Sequence, residues 1–401
     1  RDWSSDVCSS DLTASLGQSP IAFSVSESAG LYSNLGFVYT ANLYYWSGSV
    51  SNSGSYKYQL QKYPNAANYG IFDLSKILSS TFKDNAYANP SDIRYFKCDF
   101  NYQYQSGSNY ITGSNVSSSV YYALDGYLLS RNQNIGTELN QNTVYFPFLT
   151  DGPQSQSAVL DDWGYVSIWK PSINASSAPT TASITASYTN GSTATFAIPL
   201  TPIAAGNPTQ DLVELVPFGP QTIADNTTSS FNSSLLNSYT IQAYAGGTAV
   251  GQPLYVQIFC EAKYTPVRIQ YKNRYGQFDY FTFPKVNRQS LKTKSRDYRP
   301  QVGSWNSTAL QYQTYESTIQ KYVIDTDETL LVNSDWLPEI YNDAFKQLMV
   351  SPEIYWVQDN GNLIVPLSLT TSDFQLKTVV NDQLIQYSFS FEIGQSYKLV
   401  L

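Results

Sequence analysis

The sequence predicts a mainly β protein: tandem β-sandwich-like domains followed by a C-terminal α+β domain carrying one main helix. Residues 385–393 place Ile385, Tyr387, Phe389, Phe391 and Ile393 in alternation with Gln386, Ser388, Ser390 and Glu392. That period of two marks a strand with one buried face. Aromatic residues (15%) outnumber charged ones (13%), and 34 of them are tyrosines, a composition suited to half-buried pleated surface. Asn190-Gly191 and Asn360-Gly361 sit between apolar runs, the turn chemistry of tight hairpins.

The first dozen residues, RDWSSDVCSSDL, read as a translated sequencing adapter, an assembly scar of metagenomic origin. Residues 1–12 are therefore set aside, and Cys8 with them. Residues 13–150 form an N-terminal β-rich domain. The runs PIAFSVS, LGFVYTANLYYW, YKYQLQKY, DIRYFKCDFNYQY and SSVYYALDGYLL are separated by Gly/Ser/Asn turns. One short helix is expected after Asp73, which caps LSKILSSTF and puts Leu74, Ile77 and Leu78 on one stripe.

Residues 151–262 form a second domain, an immunoglobulin- or fibronectin-like sandwich without the Cys–Trp–Cys spacing of antibody domains. ASITASYTNGSTATFAIPL is two strands around Asn190-Gly191, and SYTIQAYAGG and QPLYVQIFCEA add two more. Cys98 and Cys260 each share a strand face with apolar neighbours and read as small buried hydrophobes. A single long-range disulfide is the less favoured alternative, and a disulfide framework is excluded.

Residues 263–401 form the α+β domain. PVRIQYKNRYGQFDYFTF is a hairpin turning at Tyr275-Gly276, with Val267, Ile269 and Tyr271 alternating against Arg268, Gln270 and Lys272. The main helix is expected over Leu337–Met349. Ile340, Tyr341, Ala344, Phe345, Leu348 and Met349 make its stripe, Ser334 and Asp335 are cap candidates, and Ser351-Pro352 stops it. EIYWVQ and LIVPLSL form a further hairpin around Asn360-Gly361.

The chain contains no histidine, which removes the commonest general acid–base and the commonest metal ligand. A Ser–His nucleophile pair is thus impossible, and no phosphate-cradling glycine loop is present. No cofactor and no metal site are expected. A formal charge of −8 argues against nucleic acid or anionic membrane as the main partner, and no stretch is long enough to span a bilayer.

Two acidic groups could still carry chemistry. Asp161-Asp162 beside Trp163, and Asp325, Asp327 and Glu328, are candidates for a carboxylate-only glycosidase. Adjacent strand residues point to opposite faces, so Asp161 and Asp162 are poor partners, and both clusters read more simply as solvated turns. For calcium, Leu330 stands where the loop pattern requires glycine.

Two surfaces are candidates for contact. Arg268, Lys272, Arg274, Lys285, Arg288, Lys292, Lys294, Arg296 and Arg299 crowd into one region of an acidic chain. They read as a patch for an acidic neighbour, another copy included, or as charges that keep a hairpin edge soluble. Tyr44, Tyr45, Trp46 and Trp163 could expose aromatic area to a saccharide or protein, although core packing is the commoner fate of such residues.

The segments IQYKNRYGQFDYFTF (269–283), DWLPEIYNDAFKQLMVSPEIYWV (335–357) and QLIQYSFSFEI (383–393) resemble virion structural proteins of tailed bacteriophages. The likeness is to tail- or baseplate-associated proteins in environmental and gut phage. YGIFDLSKIL (69–78) and FLTDGP (148–153) are weaker echoes. The resemblance implies a non-enzymatic assembly part of a virion. Other virion proteins and further copies of itself would be its partners, with a host surface glycan as a candidate contact. The alternative is a secreted adhesin or carbohydrate-binding protein, extracellular or at a cell surface.

Overall fold

The computed structural model describes residues 14–19, 21–47, 54–82, 93–127, 147–170, 178–201, 212–227, 231–259, 263–303, 311, 313–371, 384–394 and 398–400. It is mainly β. The chain forms two compact units: Arg1–Phe259 with Lys272–Asp279, and Cys260–Tyr271 with Tyr280–Leu401. Among the described residues no helix is long and apolar enough to cross a membrane.

In the first unit, one sheet runs in the order Ala14–Leu16, Tyr121–Leu124, Ile93–Ser106, Val38–Trp46, Tyr56–Lys62. The first of these pairs lies parallel and the rest antiparallel. Tyr39, Ala41 and Leu43 share its inner face with Phe96, Cys98 and Phe100, all buried. Against them pack Phe23, Val25 and Phe72 from a two-stranded sheet, Ala22–Ser26 with Tyr69–Asp73. The alternation places the aromatics inward, and Phe100 meets Phe23 at 5.4 Å and Phe72 at 6.0 Å. The helix after Asp73 is Ser75–Ser79, shorter than the run LSKILSSTF, and Leu74 rather than Asp73 stands at its cap position. Asp73 Oδ1 accepts the Ser75 amide at 3.0 Å, and Leu74 and Leu78 are buried. Burial pushes the Cys98 thiol up to about 12, so this cysteine is a packed hydrophobe rather than a nucleophile. Cys260 lies outside the described residues.

The same unit holds a second sheet in the order Ser155–Ala158, Thr248–Ile258, Leu236–Ala245, Thr181–Tyr188, Thr193–Pro199. Its hairpin turns where the Asn-Gly signal places it. Gly191 takes φ +82°, and Asn190 Oδ1 accepts the Ser192 amide at 2.9 Å. Ala182, Ile184 and Ala186 alternate inward with Tyr239, Ile241, Leu254 and Val256. A two-stranded sheet, Tyr165–Trp169 with Val213–Pro217, closes this core through Ile168 and Val216, giving a sandwich-like arrangement. A short helix over Pro220–Asn226, which the periodicity does not announce, adds Ile223. Its signal is local: Gly219 stands at the cap and Pro220 at the first helical position.

The second unit carries a sheet in the order Phe278–Phe283, Val267–Lys272, Ile354–Gln358, Leu363–Leu369, Ser388–Ile393, Gln320–Asn333, Arg288–Tyr298. Ile385, Tyr387, Phe389, Phe391 and Ile393 are all buried, as their alternation requires. The helix is Asn342–Val350, shorter at its start than the stripe suggests. Leu337–Pro338 pairs with Leu384–Ile385 instead, and Glu339–Tyr341 is a 3₁₀ turn. Ser334, read as a cap, accepts the Tyr387 amide at 2.8 Å and so serves the strand. Ile340 consequently points out at 61% exposure, while Tyr341, Ala344, Phe345 and Leu348 face the sheet.

Phe345 sits at the centre, with ring contacts to Phe281 at 4.9 Å, Tyr387 at 5.0 Å and Phe389 at 5.3 Å. Phe345→Ala should destabilise this unit by about 3–5 kcal/mol in urea denaturation. A loss below ~1 kcal/mol would mean that the helix does not close this core.

Candidate interaction surfaces and a buried charge cluster

The basic residues of the C-terminal region fall into two groups with opposite environments. Every residue of Val267–Lys272 is buried, so the polar half of its alternation does not face solvent. Arg268 donates from Nη1 to Thr282 Oγ1 at 2.8 Å and lies 5.1 Å from the Tyr280 ring. Lys272, 6% exposed, pairs with the Asp125 carboxylate. Arg274 Nε binds Asp151 Oδ1 at 2.7 Å. These three cations therefore do not belong to an accessible patch, contrary to the expectation from their spacing.

The hairpin tip, residues 272–279, is instead part of the first unit's interior. Tyr275 is buried in a cluster with Leu16, Leu124, Leu149 and Trp169. Asn273 donates to the Leu149 carbonyl at 2.9 Å and accepts the Tyr275 and Gln277 amides at 3.0 and 3.1 Å. Ser167 donates to Gln277 Oε1 at 2.8 Å. The backbones approach so closely that a Cβ on Gly276, which has φ +75°, would lie 2.2 Å from the Asp125 carbonyl oxygen. Only glycine fits there.

Asp279 completes the cluster. Its Oδ2 accepts the Asp151 amide at 2.9 Å, and it is 5% exposed. Burial, reinforced by the negative charge of Asp151, pushes its carboxyl up to about 7. An aspartate tuned this way would suit acid–base chemistry in a cleft. Its surroundings here are hydrogen-bonding groups of the chain itself, the Asp151 amide and the Thr150 and Asn273 side chains. In the unfolded chain this carboxyl titrates at the ordinary value of about 3.9. Its contribution to stability is thus complete below that value and is lost as pH rises through about 7. Measured by urea denaturation between pH 4 and 8, the wild-type protein should lose stability relative to Asp279→Asn as pH rises. A difference independent of pH would contradict this assignment.

The second group is exposed. Arg288–Tyr298 is exposed along its whole length and pairs only with Gln320–Asn333 among the described strands. Across that pair Lys292 stands opposite Asp327 and Lys294 opposite Asp325. Lys294 Nζ reaches Asp327 Oδ2 at 3.0 Å, which holds its ammonium above the ordinary lysine value. Lys285 pairs with Asp335 at 3.0 Å. Arg288, Lys292, Arg296 and Arg299 are exposed. Asp325 and Asp327 therefore share a face with lysines, while Glu328 stands on the other face opposite Leu291. The acidic run is one side of a charge ladder rather than a solvated turn.

Asp162 is buried, and its Oδ2 accepts the Val159 amide at 2.9 Å, whereas Asp161 is exposed. The pair does not converge. Asp162 fixes a turn, though not a solvated one.

Trp46 is also buried, stacked on Tyr95 at 6.1 Å, and so offers no contact surface. Trp163 is half-buried, edge-on to Tyr165 at 5.3 Å. Tyr44 and Tyr45 are half-buried, and each meets a more exposed tyrosine from Tyr56–Lys62. Tyr45 stacks on Tyr58 at 6.2 Å, and Tyr44 meets Tyr56 at 6.0 Å with Lys97 4.8 Å from its ring. On the same sheet face Gln59 donates to Asn42 at 3.2 Å and Ser117 to Asp99 at 2.6 Å. Tyr56, 51% exposed, is not singled out by the sequence, because YKYQLQK alternates like a half-buried strand. Its place at the end of the strand order exposes it. No known protein family matches the chain, and no curated protein is similar to it.

Proposed function

We propose that this chain is a non-enzymatic structural component of a phage tail or baseplate that assembles through protein–protein contacts. The observation that carries the reading is the ribbon formed by Arg288–Tyr298 and Gln320–Asn333. All 11 residues of its outer strand are exposed, and only Leu330 and Val332 of the inner strand are buried. A β-ribbon with so little core beneath it gains little from its own burial, so its length is better explained by contact with another molecule. Exposed Leu291, Tyr298, Tyr322 and Ile319 on or beside it supply apolar area for such contact. The resemblance of the three C-terminal segments to tail-associated proteins supports a virion as the setting.

Light scattering coupled to size exclusion should show the full chain as a multi-copy species, or converting to one as concentration rises. A strictly monomeric protein at high concentration that joins no virion protein would overturn the proposal.

A secreted adhesin or carbohydrate-binding protein is the second reading, favoured by the exposed face around Tyr44 and Tyr56. There an aromatic pair lies beside Asn42, Gln59, Lys97 and Asp99, side chains that hydrogen-bond sugar hydroxyls. On a glycan array this reading expects saccharide binding that falls at least about tenfold for Tyr56→Ala, the loss of one stacking contact. Binding that is absent, or unchanged by the substitution, would remove it.

A further inference from the structure

We infer that the outer edge of Arg288–Tyr298 takes up an extended acidic strand from a partner protein by sheet augmentation. The inference rests on the assembly reading above and names the partner's chemistry. Arg288–Tyr298 is the last strand in its sheet, and no described strand pairs with its outer side. Half of its backbone N–H and C=O groups therefore point away from the sheet, the template that an added strand uses.

The side chains then decide which strand fits. Arg288, Lys292, Lys294 and Arg296 lie an even number of residues apart, with Ser290 in the gap, and so share one face of the strand. On the inner side this face already meets carboxylates, Asp327 opposite Lys292 and Asp325 opposite Lys294. Lys294 is held by Asp327, while Arg288, Lys292 and Arg296 form no ion pair among the described residues. The inner strand shows the form such a partner would take: an extended segment with carboxylates two residues apart, as Asp325 and Asp327 are.

The same spacing disfavours a second copy docking through this edge. An antiparallel self-pairing centred on Lys294 would set Lys292 against Arg296 and Lys294 against itself. Like charges directly opposite are destabilising. Nucleic acid is disfavoured by the formal charge of −8 and by the carboxylates already lying beside the cations. Edge lysines commonly serve only to prevent pairing. Prevention and selection differ in their consequences, and substitution separates them.

The test uses the full chain and three fluorescent peptides built on one Thr/Val strand: aspartate at every second position, the same composition with the aspartates contiguous, and asparagine in their place. Fluorescence anisotropy should show binding of the alternating peptide, at least about tenfold weaker binding of the other two, and weakening by added salt. Lys292→Glu/Arg296→Glu leaves the Lys294–Asp327 pair in place and should abolish the preference. Equal binding of all three peptides, no binding, or tighter binding to duplex DNA would overturn the inference. So would Lys292→Thr/Arg296→Thr if it left peptide affinity unchanged and only caused aggregation, since the charges would then be purely preventive. Light scattering on the same samples distinguishes the two levels. Assembly without peptide selectivity defeats only the edge assignment, whereas neither assembly nor selectivity defeats the assembly reading as well.

Discussion

The structure depends on where the cations of residues 268–299 find their counter-charges. A lysine or arginine taken out of water is costly unless a carboxylate and further hydrogen bonds meet it. At the tip of the Val267–Phe283 hairpin both conditions hold: Lys272 meets Asp125 and Arg274 meets Asp151, while Asn273 and Gln277 are tied to Leu149 and Ser167. Removing one member of such a pair leaves a buried charge and costs about 3–5 kcal/mol, so the tip and its acceptors stand or fall together. The glycine at 276 permits the approach, and Tyr275 provides the apolar burial that accompanies it.

Further along the chain the same kind of residue is used differently. Along Arg288–Tyr298 the cations stay in water, where a pair such as Lys294–Asp327 adds little to stability because solvent and salt screen it. Their worth lies in what they admit to the strand's edge and what they exclude. A stretch that reads as one basic patch is two devices, one completing a core and one shaping a surface, and the change occurs between Arg274 and Arg288. Tyrosine is divided in the same way: Tyr39 and Tyr239 are buried almost completely, while Tyr56 and Tyr58 stand in the open.

Much of this fold is legible because its signals are local. Asn190-Gly191 and Asn360-Gly361 fix their hairpins through backbone conformations that few other residues adopt, and 385–393 declares its buried face by alternation alone. The polar half of Val267–Lys272 is not legible. An alternating strand looks the same whether its polar side faces water or, as at Lys272, a carboxylate 147 positions away in sequence. The helix start escapes for a related reason, since Leu337–Pro338 is claimed by a strand some 50 residues later. Exposure of Tyr56, burial of Trp46 and the edge position of Arg288–Tyr298 follow from strand order, which periodicity does not encode. The short helix at Pro220 does carry a readable local signal, Gly219-Pro220, that the apolar pattern obscures.

Amide hydrogen exchange on the full chain, alone and with the alternating-aspartate peptide, addresses both devices at once. Amides of residues 272–279 should exchange slowly in both states, and the outward-facing amides of 288–298 should exchange rapidly in the free chain and slow when the peptide is bound. Rapid exchange throughout the tip, or an outer strand indifferent to the peptide, would contradict the account.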